Sequence, residues 1–216
     1  MRGLFSVEGI FFSVCSKIVD LVIITFMWAV GCVPIVTILT STASMYHAAV
    51  KCVRYDRGKA SRDFIEAYKK DLKQGIELTV LYGLTGTVIG FADYRMVFLA
   101  QSKMGAGLLF SMFMFILTCL YLLNLLWIVP VFSRFSNTLG NIIRLNFVIS
   151  CRNIVRSIPM FVIILMLVVL VAASVPLVIL IPSLILLLIS YLAEPALHKF
   201  MPKQEEDNGD WRYGYK

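Results

Sequence analysis

The side chains best equipped for chemistry in this 216-residue chain are two histidines, five cysteines and a few carboxylates beside apolar runs. His47 and His198 are far apart, and neither belongs to a spacing that would hold zinc. Cys15, Cys32, Cys52, Cys119 and Cys151 are odd in number, widely spaced, and form no short metal-ligand pair. Cys32 and Cys119 stand in apolar stretches, where a thiol behaves as a small hydrophobe. There is no Ser-His-Asp arrangement, phosphate-cradling glycine loop or carboxylate pair within an apolar segment. The expectation is a protein that is not an enzyme, with no catalytic residue, cofactor or metal.

Polar residues inside apolar runs are the remaining route to function, because each is expensive to place there. Asn124 is expected to hydrogen-bond across a helix interface, worth about 1 kcal/mol, rather than to line a substrate path. Glu77 opens one apolar run and Glu194 closes another, so both are expected as boundary residues reaching interfacial water. Gly86 and Gly90 form a small-xxx-small pair that lets two backbones approach, within the chain or between copies. Pro34 removes a helix donor; neighbouring hydroxyls, Thr37 first, can satisfy the freed carbonyls. Pro176 and Pro182 are expected to break or kink the last apolar run.

These positions need elements to hold them, and composition says of what kind. Hydrophobic residues make up 59% of the chain and charged ones 15%, an excess that needs a solvent other than water. Residues Ile158–Leu192 carry no charge at all. The fold class expected is an all-α polytopic membrane bundle occupying 1–200, with a hydrophilic tail at 201–216. Five spans are expected, over 18–40, 76–92, 104–132, 158–174 and 176–192, since a span needs about 20 apolar residues. Gly31 and Pro34 could instead break the first segment into a hairpin, for six.

Net charge is +7, but the charges fall between apolar segments and form no single basic face, which argues against nucleic acid. Their expected use is orientation against lipid. Lys51–Lys73 alone holds eight lysines and arginines; with the loop at 133–157 and the tail, sixteen fall on one side against four on the other. The five-span arrangement thus puts the N-terminus outside and the C-terminus in the cytoplasm. Ser61 is an expected N-cap for an amphipathic stretch bearing Phe64, Tyr68 and Leu72. Phe135, Leu139, Ile142 and Asn146 line one side of another, and Arg144, Arg152 and Arg156 are available for headgroups. Both are expected to lie at the cytoplasmic interface.

Three stretches carry a resemblance. Pro34-Ile35-Val36-Thr37 leads through small residues into Tyr46. Arg57-Gly58 precedes the aromatic-basic stretch Phe64 to Lys73. Asn137-Thr138 opens a segment running through Arg152-Asn153 toward Pro159. In these the chain resembles the YesL-like family (domain of unknown function 624) of Firmicute bacteria. The resemblance implies a multi-pass plasma-membrane protein of the kind often associated with carbohydrate-uptake gene sets, and no catalytic residues. Expected partners are the lipid bilayer, a transporter permease or a second copy. A non-transporting scaffold or regulator is the alternative.

Overall fold

The computed structural model describes residues 7–100, 105–135, 137–173 and 181–200, which are helical nearly throughout. Seven α-helices follow in order: α1 (Val7–Gly31), α2 (Ile38–Ala48), α3 (Ala60–Ala100), α4 (Gly105–Arg134), α5 (Leu139–Arg152), α6 (Ile154–Ala173) and α7 (Ile181–Leu197). Among the described residues there is no strand. α3, α4 and α7 are each long and apolar enough to cross a membrane, and α5 with α6 qualifies as a pair bent by 94°.

The first apolar segment does not run on as one helix over 18–40. α1 ends at Gly31, a short 3-10 turn occupies Ile35–Thr37, and α2 starts at Ile38. Pro34 stands extended (φ −78°, ψ 118°) just ahead of that turn. The Thr37 hydroxyl donates to the carbonyls of Gly31 (2.7 Å) and Pro34 (2.8 Å), closing the break with the group expected to do so. The Ser41 hydroxyl donates to the Trp28 carbonyl at 2.9 Å, and the Trp28 indole donates to Thr42 at 3.2 Å. A Cβ on Gly31 would meet the Ser41 hydroxyl at 2.6 Å. At the far end Lys17 pairs with Asp56 at 3.2 Å. α1 and α2 are therefore antiparallel, which is the hairpin alternative.

α2 and the π-helical turn Ala49–Arg54 that prolongs it form the middle of the molecule. Thr40, Ser41, Ser44, Met45, Tyr46, Ala48 and Val50 are buried, with α1, α3, α4 and α7 packed around them. A helix of small and hydroxylic residues suits this position because neighbours approach its backbone closely. A Cβ on Gly75 of α3 would fall 2.1 Å from the Thr40 hydroxyl and 3.2 Å from the Thr40 Cα. Leu78, Trp127, Ile128, Ile142, Ile149 and Met160 complete the surrounding core.

α3 is 41 residues long and changes character along its length. The amphipathic stretch after Ser61 is the first half of this helix, not a separate one. Its exposed side carries Arg62, Glu66, Lys69, Lys70 and Lys73; past Glu77 the exposed side is Val80, Leu81, Leu84, Val88 and Phe91. One helix so divided presents a charged surface along one half and an apolar surface along the other. Ser61 is not the cap: α3 begins at Ala60, and the Asp63 carboxylate instead accepts the Lys59 N–H at 3.0 Å.

The second expected amphipathic stretch is a helix, α5, whose Ile142, Asn146 and Ile149 face the core while Arg144 and Arg152 face out. Pro182 stands in the first turn of α7, where the missing N–H costs little, so it does not kink the helix interior. The interior prolines are Pro130 of α4, Pro159 of α6 and Pro195 of α7. Pro176 lies outside the described residues, as do the tail at 201–216 and, past Ala173, the expected break at 173–176.

Candidate functional site: a buried ion pair and an adjoining cleft

Glu194 is not a boundary residue. It lies in the last turn of α7, and Arg134, the last residue of α4, meets it with both side chains 0% exposed. Arg134 Nε donates to Glu194 Oε1 at 2.8 Å, and Nη2 lies 2.6 Å from Oε2. This is the two-pronged geometry that a planar guanidinium offers a carboxylate, and the strongest form of the interaction. The Tyr46 hydroxyl of α2 donates to the same Oε1 at 3.0 Å, and His198 Nε2 stands 3.7 Å from Oε2. Burial, and then the Glu194 carboxylate, push the Tyr46 phenol well above its usual range, so it stays a neutral donor. Close by, Arg54 donates to the Ser190 carbonyl at 2.9 Å and lies over the Tyr191 ring, 4.6 Å from its centroid.

Neighbours of this pair in sequence open onto a polar cleft. His47 follows Tyr46, Ser133 precedes Arg134, and both line a cleft of about 160 Å³ with Lys51, Asp63, Lys70, Gln74 and Phe135. At its inner edge Asp63 is buried and pairs with Lys51. The Cys52 thiol donates to Asp63 Oδ2 at 3.4 Å. Burial, followed by the hydrogen bond and charge of Asp63, pushes that thiol up to about 12, so it is inert as a nucleophile near neutrality. The loop before α3 is shaped to Asp63: Asp56 and Gly58 have φ of 51° and 88°. A Cβ on Gly58 would lie 2.0 Å from Asp63 Oδ2. This is the physical role of the glycine in Arg57-Gly58.

Asn124 of α4 is hydrogen-bonded to another helix. Its side-chain oxygen (3.2 Å) and its carbonyl (2.9 Å) accept from Asn146 of α5, which also donates to the Tyr82 hydroxyl of α3 at 2.9 Å. The small pair on α3 divides. A Cβ on Gly86 would lie 2.5 Å from the Tyr121 hydroxyl, which reaches back to the Tyr82 carbonyl at 2.8 Å. Gly90 has nothing within 4 Å. Pro34 and Thr37 sit together at the α1–α2 break, remote in sequence from the ion pair.

The segment containing the break, α2, the Gly58 loop and most of α3 is also the segment that matches a family. Residues 21–94 match the model described as a protein of unknown function, DUF624. The match covers about a third of the chain. The YesL-like resemblance read from the sequence points to the same family. No curated protein matches the chain, and no solved structure does. The DUF624 segment supplies Tyr46, Lys51 and Asp63; Arg134 and Glu194 come from beyond it. Sequence reasoning passed over the ion pair because its members are 60 residues apart and each ends an apolar run, where a charge ordinarily meets water.

Among the described residues no group of three or more His, Cys, Asp or Glu side chains could hold a metal ion. Chemically, the arrangement is a clamp. Glu194 ties α2, α4 and α7 together, and the cleft presents cationic, anionic and amide groups at the clamp's charged end.

Proposed function

We propose that this DUF624 protein is a multi-pass plasma-membrane protein of a bacterium that does not itself transport or catalyse, and acts by contact with a partner. One observation carries the reading: among the described residues, three sets of buried polar side chains are engaged with one another. Arg134, Glu194 and Tyr46 form one set, Asn124, Asn146 and Tyr82 a second, Lys51 and Asp63 a third. A conducting or proton-coupled path would instead present such groups to a moving ion or substrate. The charged half of α3 and the cleft beside it, held on the cytoplasmic side by the lysines and arginines of 51–73, are the surface offered to that partner.

The family resemblance supports reading the partner as a transporter permease for carbohydrate uptake, with this chain as its accessory; a scaffold or regulator acting through helix contacts is the alternative. Two measurements decide. Liposomes holding only this protein are expected to show no flux of sugars or protons above protein-free liposomes; substrate-dependent flux would end the non-transporting reading. Deleting the gene is expected to impair uptake of at least one sugar and leave the permease present. Unchanged uptake of every sugar tested would remove the carbohydrate assignment.

A further inference from the structure

We infer that α1 and α2 form a re-entrant hairpin, whose two ends lie on the same face of the bilayer and whose apolar tip lodges in the hydrocarbon. The inference rests on the membrane reading above and revises the side assigned to the N-terminus. Two contacts set the geometry. Lys17 of α1 pairs with Asp56, in the loop before α3, so the two base ends of the hairpin are adjacent. Gly31, Trp28 and Thr37 are bonded across the turn to Ser41, Thr42 and their own neighbours, so the tip is closed.

The tip is the least water-compatible part of the hairpin. Val33 is 79% and Ile35 76% exposed, Val36 and Ile38 are also exposed, and Thr37, the polar residue among them, is turned inward. Exposed apolar side chains continue down the outside of α1 at Val30, Phe26 and Ile23. No stretch of the hairpin between Lys17 and Lys51, except Asp20 and His47, carries a charged or titratable cation or carboxylate.

Length argues against a full crossing. From Ile38 to Arg54 the returning arm is 17 residues by its two segments, about 25 Å at 1.5 Å per residue, short of a hydrocarbon core of about 30 Å. A tip that emerged on the far side would put Val33, Ile35 and Val36 into water. The polar content of α2 is no obstacle, because the hydroxyls of Ser41, Thr42 and Ser44 donate to the Trp28, Ile38 and Thr40 carbonyls at 2.9, 2.7 and 2.8 Å. Lys17 then joins the basic side set by Lys51–Lys73, in keeping with the bias of cations toward the cytoplasm.

The test is side-specific labelling of the full chain in cells. Gly3→Cys and Arg57→Cys, the latter chosen because Gly58 tolerates no side chain, are treated with a membrane-impermeant maleimide and read residue by residue by mass spectrometry. Both positions are expected to label only after permeabilisation. Labelling of Gly3→Cys but not Arg57→Cys in intact cells would overturn the hairpin. A fluorophore on Ile35→Cys in liposomes is expected to be quenched at least twofold by brominated lipid and little by aqueous iodide; the reverse order would overturn the buried tip. Fractionation separates this from failure of the membrane reading, since a chain recovered from washed membranes without detergent would refute that premise instead.

Discussion

Two parts of this protein are built from similar apolar residues yet solve different problems. In the arm formed by the later half of α3 and the earlier half of α4, only 11% of each apolar stretch is buried inside the protein; in α7 the share is 50%. Among the contacts that join the arm are Gly86 against Tyr121, Tyr121 to the Tyr82 carbonyl, and Thr118 donating to Asp93 at 2.7 Å. Around α2, Tyr46, Arg134 and Glu194 are buried among helices and bonded to one another, and Ser41 and Ser44 donate to backbone carbonyls. Hydrocarbon gives apolar side chains no reason to leave it, so lipid-facing helices are joined by close backbones and hydrogen bonds rather than by burial. Where the helices do enclose a core, an ion pair can replace the water it lost, but only if both partners are present.

The sharpest break in this comparison is at the ion pair. Glu194→Leu or Arg134→Leu alone should cost about 3–5 kcal/mol, by leaving the other charge buried and unpaired. Combining both changes should recover most of that loss, read as unfolding in a detergent-SDS series. Leu84→Ala on the arm, exposed to lipid, should move the same transition by less than about 0.5 kcal/mol. Equal losses at Leu84 and Glu194 would erase the distinction between the two regions.

Glycines sharpen it further. Gly75→Leu drives a side chain into Thr40 and its backbone, for an expected loss of about 1–3 kcal/mol, whereas Gly90→Leu meets open space and should be silent. Gly58→Ala should cost at least about 1–2 kcal/mol, from its left-handed backbone and from crowding Asp63. The smallest effect concerns Cys52. Its thiol is held up near 12 in the folded protein against about 8.5 unfolded, so the stability it lends is complete below pH 8.5 and is lost as pH rises toward 12. Alkylation of Cys52 in the folded protein at pH 8 should be negligible, and fast labelling there would contradict its burial against Asp63.

Much of the architecture was readable in advance because it depends on local patterning. The apolar runs read over 104–132 and 158–174 overlap α4 and α6. The role of Thr37 at the Pro34 break followed from the missing amide and a hydroxyl three residues on. Asn124 as interhelical glue was also legible, though not its partner, Asn146. Other expectations failed. Residue types alone do not distinguish an N-cap at Ser61 from a cap by Asp63, or a Gly90 against a helix from one against open space. The first is decided by the conformation of the loop just before α3, the second by where other helices pack.

The amino-acid sequence by itself determined that this chain is helical and needs an apolar solvent, because segment hydropathy and length are properties of consecutive residues. It also offered, as the alternative to a single span over 18–40, a break at Gly31 and Pro34, since proline lacks the donor a helix requires. Only the tertiary structure decided that Glu194 meets Arg134 and Tyr46 rather than water, since a carboxylate at the end of an apolar run has the same local signature in either case. Tyr46 and Glu194 are 148 residues apart, and what joins them is the packing of α2 between α4 and α7.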